Sequence, residues 1–170
     1  MKRRIIYISG GERSGKSGFA QRMAEELSDS PIYLATAKCW DDDFRQRIDR
    51  HRAARGDSWS TIEEERYISK HALAGRVVMM DCVTLWLTNI FCDVEYDGDA
   101  ALKIAREEWS RFVEQDFTLI VVSNEIGQGV IPMERSTRQF VDLQGSMNQY
   151  IASLSDEAYT LISGIPLKLK

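Results

Sequence analysis

Short runs of uninterrupted apolar residues alternate along this chain with longer stretches in which apolar residues recur every three or four positions. The first kind reads as buried strand and the second as amphipathic helix. Strands are predicted at Ile5–Ser9, Ile32–Ala35, Val77–Met80 (closing on Asp81) and Leu119–Val122, with a shorter one at Trp59–Ile62. Helices are predicted at Lys16–Leu27, where Phe19, Ala20, Met23, Ala24 and Leu27 keep the period, and at Ala100–Val113, through Leu102, Ala105, Trp109 and Phe112. Further helices are expected at Tyr67–Ala74 and Arg135–Leu154, and one from the acidic start Asp41-Asp42-Asp43 to Arg55, where carboxylates favour the helix N-terminus. Ala158–Ile162 and Leu167–Leu169, joined near Gly164, read as a terminal hairpin. Fully apolar strands separated by helices imply an α/β fold. Its sheet is mainly parallel, covered by helices on both faces, with an antiparallel C-terminal edge.

Composition narrows the picture without changing it. The chain has 170 residues and no internal repeat or linker tract, so a single domain over 1–170 is expected. A net charge of -4, from 22 basic and 26 acidic side chains, argues against nucleic acid as a partner. No apolar run approaches the roughly 18 residues that span a bilayer. Met1-Lys2-Arg3-Arg4 is followed by a strand and a glycine loop rather than by a cleavage site, so a cytoplasmic protein is expected. Cys39, Cys82 and Cys92 form no C-x-x-C pair and read as small core residues rather than as a disulfide or zinc framework.

Candidate chemistry begins right after the first strand. Gly10-Gly11-Glu12-Arg13-Ser14-Gly15-Lys16-Ser17 matches G-x-x-x-x-G-K-[ST] in full. Glycines let backbone N–H groups curl around phosphates, the lysine neutralises β/γ oxygens, and the hydroxyl of Ser17 suits magnesium. The helix beginning at Lys16 adds the positive end of its dipole. Asp81, after four apolar residues, is the expected second magnesium ligand, although a strand-end acid also suits the cap of a following helix. The loop alone does not distinguish a kinase from a switch, motor or synthetase.

The chain has two histidines. On a helix, Asp43, Arg47, His51 and Arg55 share one face at spacing four. Two neighbouring guanidiniums would keep the imidazole neutral, the form a nucleophile needs, and would also hold phosphate oxygens. The spacing equally fits a solvated, charge-laced helix face. His71 lacks such surroundings and reads as a surface residue.

Taken in order, several segments resemble one family. They are the phosphate loop; Tyr33-Leu34-Ala35-Thr36-Ala37; Arg47-Ile48 through His51-Arg52 and Arg55; Trp59, Thr61 and Glu63; and Asp81-Cys82-Val83-Thr84 with Thr88-Asn89. Ser123-Asn124-Glu125-Ile126-Gly127-Gln128-Gly129-Val130-Ile131-Pro132 comes next, then Arg138-Gln139-Phe140, Asp142, Gly145, Asn148-Gln149 and Ser163-Gly164-Ile165-Pro166. The chain resembles the bifunctional adenosylcobinamide kinase/adenosylcobinamide-phosphate guanylyltransferases of cobalamin biosynthesis over nearly its whole length.

The resemblance implies two reactions. A nucleoside triphosphate, ATP or GTP, phosphorylates the aminopropanol hydroxyl of adenosylcobinamide. GTP then guanylylates an enzyme histidine, and GMP passes to the cobinamide phosphate, giving adenosylcobinamide-GDP. It implies His51 and Lys16 as catalytic residues, with Mg²⁺ at Ser17 and Asp81. Nucleotide contacts would come from Gly10, Gly11, Glu12, Arg13, Ser14, Gly15, Lys16, Ser17, Thr36, Ala37, Arg52, Ala53, Ala54, Arg55, Glu63 and Asp81. Family members are trimers with active sites near subunit interfaces, which implies a homotrimer here. Two departures stand out: Asp81 replaces a frequent glutamate, and Arg50 stands where some relatives have a second histidine. A phosphate-loop kinase without nucleotidyl transfer, a homologue with guanylyl transfer alone and a non-enzymatic nucleotide switch are the competing readings. The first needs Lys16 and Asp81 but not His51, and the absence of an N-K-x-D motif of the GTPase type counts against the last.

Overall fold

A computed structural model describes residues 2–38 and 55–170. The expected helix over Asp41–Arg55 lies outside the described residues except for Arg55. His51, Arg52, Ala53 and Ala54 therefore lie outside them too, as does Cys39. Seven strands form one sheet: β1 (Arg4–Gly10), β2 (Ile32–Ala35), β3 (Ser60–Glu63), β4 (Val77–Asp81), β5 (Thr118–Val122), β6 (Glu157–Ile162) and β7 (Ile165–Lys168). Their spatial order is β3-β2-β4-β5-β1-β6-β7. Every pairing is parallel except the terminal β6–β7 hairpin, as the alternating pattern predicts.

Alternate residues of each central strand feed two cores, because side chains along a strand point to opposite faces. Ile5, Tyr7, Leu34, Val78, Met80, Leu119 and Val121 face one core. It is closed by α2 (Val83–Asp93), α3 (Gly98–Phe112) and α4 (Arg135–Leu154). Ile6, Ile8, Tyr33, Val77, Met79, Ile120 and Val122 face the other, under Ala20 and Ala24 of α1 (Lys16–Leu27). The larger core is aromatic, with Trp86, Trp109, Phe112 and Phe117 fully buried. Among the described residues no helix is long and apolar enough to cross a membrane.

Two stretches depart from the expected pattern. Val83–Asp93, to which periodicity assigns no element, is helix α2. Its buried residues Val83, Trp86, Leu87, Asn89, Ile90 and Phe91 leave little polar face, so no stripe marks it. Conversely, Tyr67–Ala74 is not a helix; only Ile68–Lys70 forms a 3-10 turn. Backbone N–H groups along this stretch are claimed by side chains, one just upstream and two remote. Glu64 accepts from Arg66 N and Tyr67 N (2.9 and 2.7 Å), Glu108 from Ser69 N (2.7 Å) and Gln115 from Leu73 N (2.7 Å). His71 is also not a plain surface residue. Its Nε2 lies 3.2 Å from the Glu64 carboxylate, with its side chain 22% exposed.

Candidate nucleotide site

The carboxyl ends of the parallel strands collect the expected site residues, where open α/β sheets place their ligands. β1 runs straight into the phosphate loop, and its conformation explains the residue types. Gly10 has φ 152°, and a Cβ there would stand 2.6 Å from Ser14 Oγ and 2.7 Å from the Leu161 carbonyl oxygen. Gly15 has φ 95° and would bring a Cβ within 3.3 Å of Gly164 Cα. At Gly10 the Leu161 backbone excludes a side chain, and at both points the positive φ strains any residue but glycine. Among the described residues no side chain caps the N-terminus of α1, and its first turn carries no acid. Its N–H groups therefore suit an anion.

Lys16 is buried, and its ammonium donates to Gly11 O at 2.5 Å, with Ser14 Oγ at 3.5 Å. Ser17 follows in the same turn, half-buried, while Glu12 and Arg13 are exposed on the loop. The loop is braced from two sides. Glu125 N donates to Gly10 O (2.9 Å) and Gly164 N to Ser14 O (2.9 Å). The turn of the terminal hairpin thus rests directly on the phosphate loop. Ser163-Gly164 enters the family pattern, but nothing in the pattern gives it this part.

Asp81 ends β4, which is separated from β1 by β5 alone. Its Oδ2 accepts from the buried Tyr33 hydroxyl at 3.2 Å. The Tyr33 pKa is raised, by burial first and then by the Asp81 charge, so the phenol stays a donor to the carboxylate. The Arg55 guanidinium lies over the same ring, 3.5 Å from its centroid. Tyr33 thereby joins Arg55 and Asp81, two residues expected at the site; it lies in a segment that carries the family resemblance, but nothing there gives it this part. It sits 48 residues from Asp81 in sequence, too far for any local spacing to link the two.

Thr36 takes a supporting place. Fully buried after β2, its hydroxyl donates to Cys82 O (2.7 Å) and accepts from Cys82 N (2.9 Å). Its carbonyl accepts from Asn89 Nδ2 (2.9 Å). These bonds tie the end of β2 to the chain just past Asp81. Ala37 is half-buried beside it, and Glu63 is exposed at the tip of β3. In the sheet order Glu63 is four strands from the phosphate-loop strand, so these residues are not brought into one cluster. Cys82 is buried, and burial pushes its thiol up to about 12, in keeping with an inert core residue.

For magnesium, Ser17 and Asp81 offer hydroxyl and carboxylate oxygens, a hard donor set that fits the ion. Among the described residues no group of three or more His, Cys, Asp or Glu could hold a metal. An ion bound here would therefore complete its shell with phosphate oxygens and water, the usual manner for magnesium.

Comparison with known proteins agrees with this geometry. A solved structure of an ATPase from the type III secretion system of pathogenic bacteria superposes with a TM-score of 0.58 at 13% identity, over 94% of this chain and 51% of that one. That likeness concerns the fold alone. The bifunctional adenosylcobalamin biosynthesis protein CobP of Pseudomonas aeruginosa is 38% identical, covering 96% of this chain and 95% of that protein. The bifunctional adenosylcobalamin biosynthesis protein CobU of Escherichia coli K12 is 31% identical, covering 98% and 99%. Residues 6–169 match the family described as cobinamide kinase / cobinamide phosphate guanyltransferase. With that match over nearly all of its length, the chain belongs to the cobinamide kinase / cobinamide phosphate guanyltransferase family of enzymes.

Proposed function

We propose that this chain, acting as one domain over 1–170, carries out both reactions in which its family is named. It phosphorylates adenosylcobinamide with a nucleoside triphosphate. It then transfers GMP from GTP, through a guanylylated His51, to adenosylcobinamide phosphate. The observation that carries the reading is the phosphate loop, built with a buried Lys16 and braced at Gly10 and Ser14, inside a chain that matches the family over residues 6–169.

One loop serves both steps. Bound magnesium would neutralise phosphate charge, with Ser17 and Asp81 as its protein ligands. In the kinase step Lys16 stabilises charge on the γ-phosphoryl as it transfers. In the guanylyl step the lone pair of the His51 imidazole attacks the α-phosphorus while Lys16 holds the departing pyrophosphate. Arg55, stacked on Tyr33, anchors the end of the segment bearing His51 close to Asp81. Arg52, Ala53 and Ala54 complete the expected nucleotide contacts on that segment.

Incubation with GTP labelled at the α-phosphate tests the reading. Acid-labile label is expected on the wild-type protein and none on His51→Ala; label retained by the variant would remove the histidine route. The same reading makes the protein a cytoplasmic homotrimer. In support, Ile162, Ile165, Leu167 and Leu169 stand 53–70% exposed on the terminal hairpin of the single chain, an apolar patch of the kind that marks an interface. Light scattering checks the mass, and a monomer at working concentration would count against the trimer.

A further inference from the structure

The proposed kinase step needs a group that neither the phosphate loop nor His51 supplies. An alkyl hydroxyl that attacks phosphorus must give up its proton, and kinases use a positioned carboxylate for this. Resting on the proposed kinase activity, we infer that Glu125 is the carboxylate that accepts this proton from the corrinoid hydroxyl.

In the sheet, β5 lies between the phosphate-loop strand β1 and the Asp81 strand β4. The segment that leaves β5 therefore stands between the triphosphate loop and the expected metal ligand. The pairing continues past the strand: Ser123 N donates to Ile8 O and Glu125 N to Gly10 O, each at 2.9 Å. Lys16 donates to the next carbonyl, that of Gly11, at 2.5 Å. The γ-phosphate-binding ammonium and the backbone of Glu125 are therefore held on adjacent carbonyls of one loop.

The side chain is oriented as well. Glu125 is half-buried, and its Oε1 accepts from Gly127 N at 2.9 Å. A Cβ on Gly127 would come within 3.3 Å of that oxygen, a measure of how closely the chain approaches the carboxylate. The other acids expected at the site are placed differently. Asp81 is engaged with Tyr33, Glu63 is at the far edge strand β3, and Glu12 is exposed on the phosphate loop itself.

A buried polar network fixes this strand end. Asn148 Nδ2 donates to Asn124 O (3.1 Å), and Thr84 Oγ1 accepts from Asn124 N (3.1 Å). Below them Ser123 Oγ donates to Asn148 Oδ1 at 2.6 Å. Ser123 and Asn148 are buried, and polar groups in a core are costly unless fully paired. Here the pairing is spent on holding the residue that precedes Glu125. Asn148 is thus a positioning residue, and Glu125 the group that meets substrate.

In the step itself the hydroxyl oxygen forms its bond to the γ-phosphorus as the bond from that phosphorus to the β,γ-bridging oxygen breaks. The nucleoside diphosphate leaves with that electron pair, and the hydroxyl proton passes to the Glu125 carboxylate. Guanylylation of a histidine uses a neutral nitrogen nucleophile and makes no demand on this group, which gives the test its contrast.

The test measures three quantities on the full chain, wild type against Glu125→Gln: phosphate transfer to cobinamide, acid-labile protein label from α-labelled GTP, and affinity for a fluorescent nucleotide. The variant is expected to lose about 100-fold or more in phosphate transfer, with nucleotide affinity within about threefold. The ratio of phosphoryl to guanylyl transfer falls with it. Glu125→Asp, one methylene shorter, restores part of the loss. Phosphate transfer within about tenfold of wild type in Glu125→Gln overturns the inference, as does a parallel loss of transfer and nucleotide affinity. A wild-type protein that makes no cobinamide phosphate overturns the kinase reading itself, and the inference with it.

Discussion

Two regions at the carboxyl edge of the sheet are wired by different chemistry. Around β1, β5 and β6 the links are neutral: Gly10 to Glu125 and Ser14 to Gly164 through backbone, and Ser123, Asn124 and Asn148 through hydroxyl and carboxamide groups. Beyond β3 the links are ionic. The buried Glu64 carboxylate takes Lys70 and His71 as well as the N–H groups of Arg66 and Tyr67. Glu108 binds Arg111 and Ser69 N in the same way. The contrast has a physical reason. Neutral bonds brace the loop without altering its potential, so the charges that act there are those of Lys16 and of the site's own carboxylates rather than those of its supports.

The comparison breaks most visibly at Lys16. Lys16→Ala leaves the neutral bracing intact and removes the charge it surrounds. Both phosphoryl transfer and histidine guanylylation should fall by about 10²–10³-fold or more, measured with γ- and α-labelled nucleotide respectively. A guanylylation rate that survives would separate the two reactions onto different phosphate sites.

At the other region the expected effect is on stability. Burial would raise the Glu64 pKa, but hydrogen bonds from Lys70, from the Arg66 and Tyr67 backbone and from His71 outweigh it and bring it down to about 2. Outside both regions, where β1 and β6 begin, Glu157 is likewise brought to about 2, chiefly by Arg4 and then by Tyr159. A carboxylate lowered from 4.5 contributes stability that is complete above that pH and is lost as pH falls through about 2. Urea midpoints should therefore drop steadily across this window. Glu64→Ala should cost about 2–3 kcal/mol near neutral pH, since it strands two backbone donors and a buried ion-pair site. It should also flatten the acid slope, with triphosphate affinity of the folded protein little changed. An unchanged slope in the variant would move the acid sensitivity elsewhere.

The same contrast explains which features the sequence makes legible. The bounds of α1, β2 and α4 follow the periodicity, because α1 and α4 each present one clear face to a core and β2 is a short apolar run buried on both faces. The phosphate loop is legible because its chemistry needs contiguous residues. Tyr67–Ala74 misleads because its N–H groups bond to Glu64 just upstream and to Glu108 and Gln115, 39 and 42 residues away, and no local pattern reveals the latter two. Tyr33 and Asn148 are not legible as site supports, since their partners lie 48 and 24 residues away. Support assembled across strands leaves no spacing signature.

The smallest effect is expected inside the neutral network itself. Gln144 is buried, and its Nε2 donates to Ser123 Oγ and Asn148 Oδ1, both at 2.9 Å. Its carbonyl oxygen has no hydrogen-bond partner among the described residues, so the side chain carries an unmet desolvation cost that offsets much of what its donors contribute. Gln144→Leu removes both terms at similar volume and spares the Ser123–Asn148 bond of 2.6 Å. Unfolding free energy should change by about 1 kcal/mol or less, and phosphate transfer by less than about tenfold, because Asn148 still holds Asn124. A loss of about 3 kcal/mol or more in chemical unfolding would mean that the network behaves like the ionic margin after all, with each member indispensable.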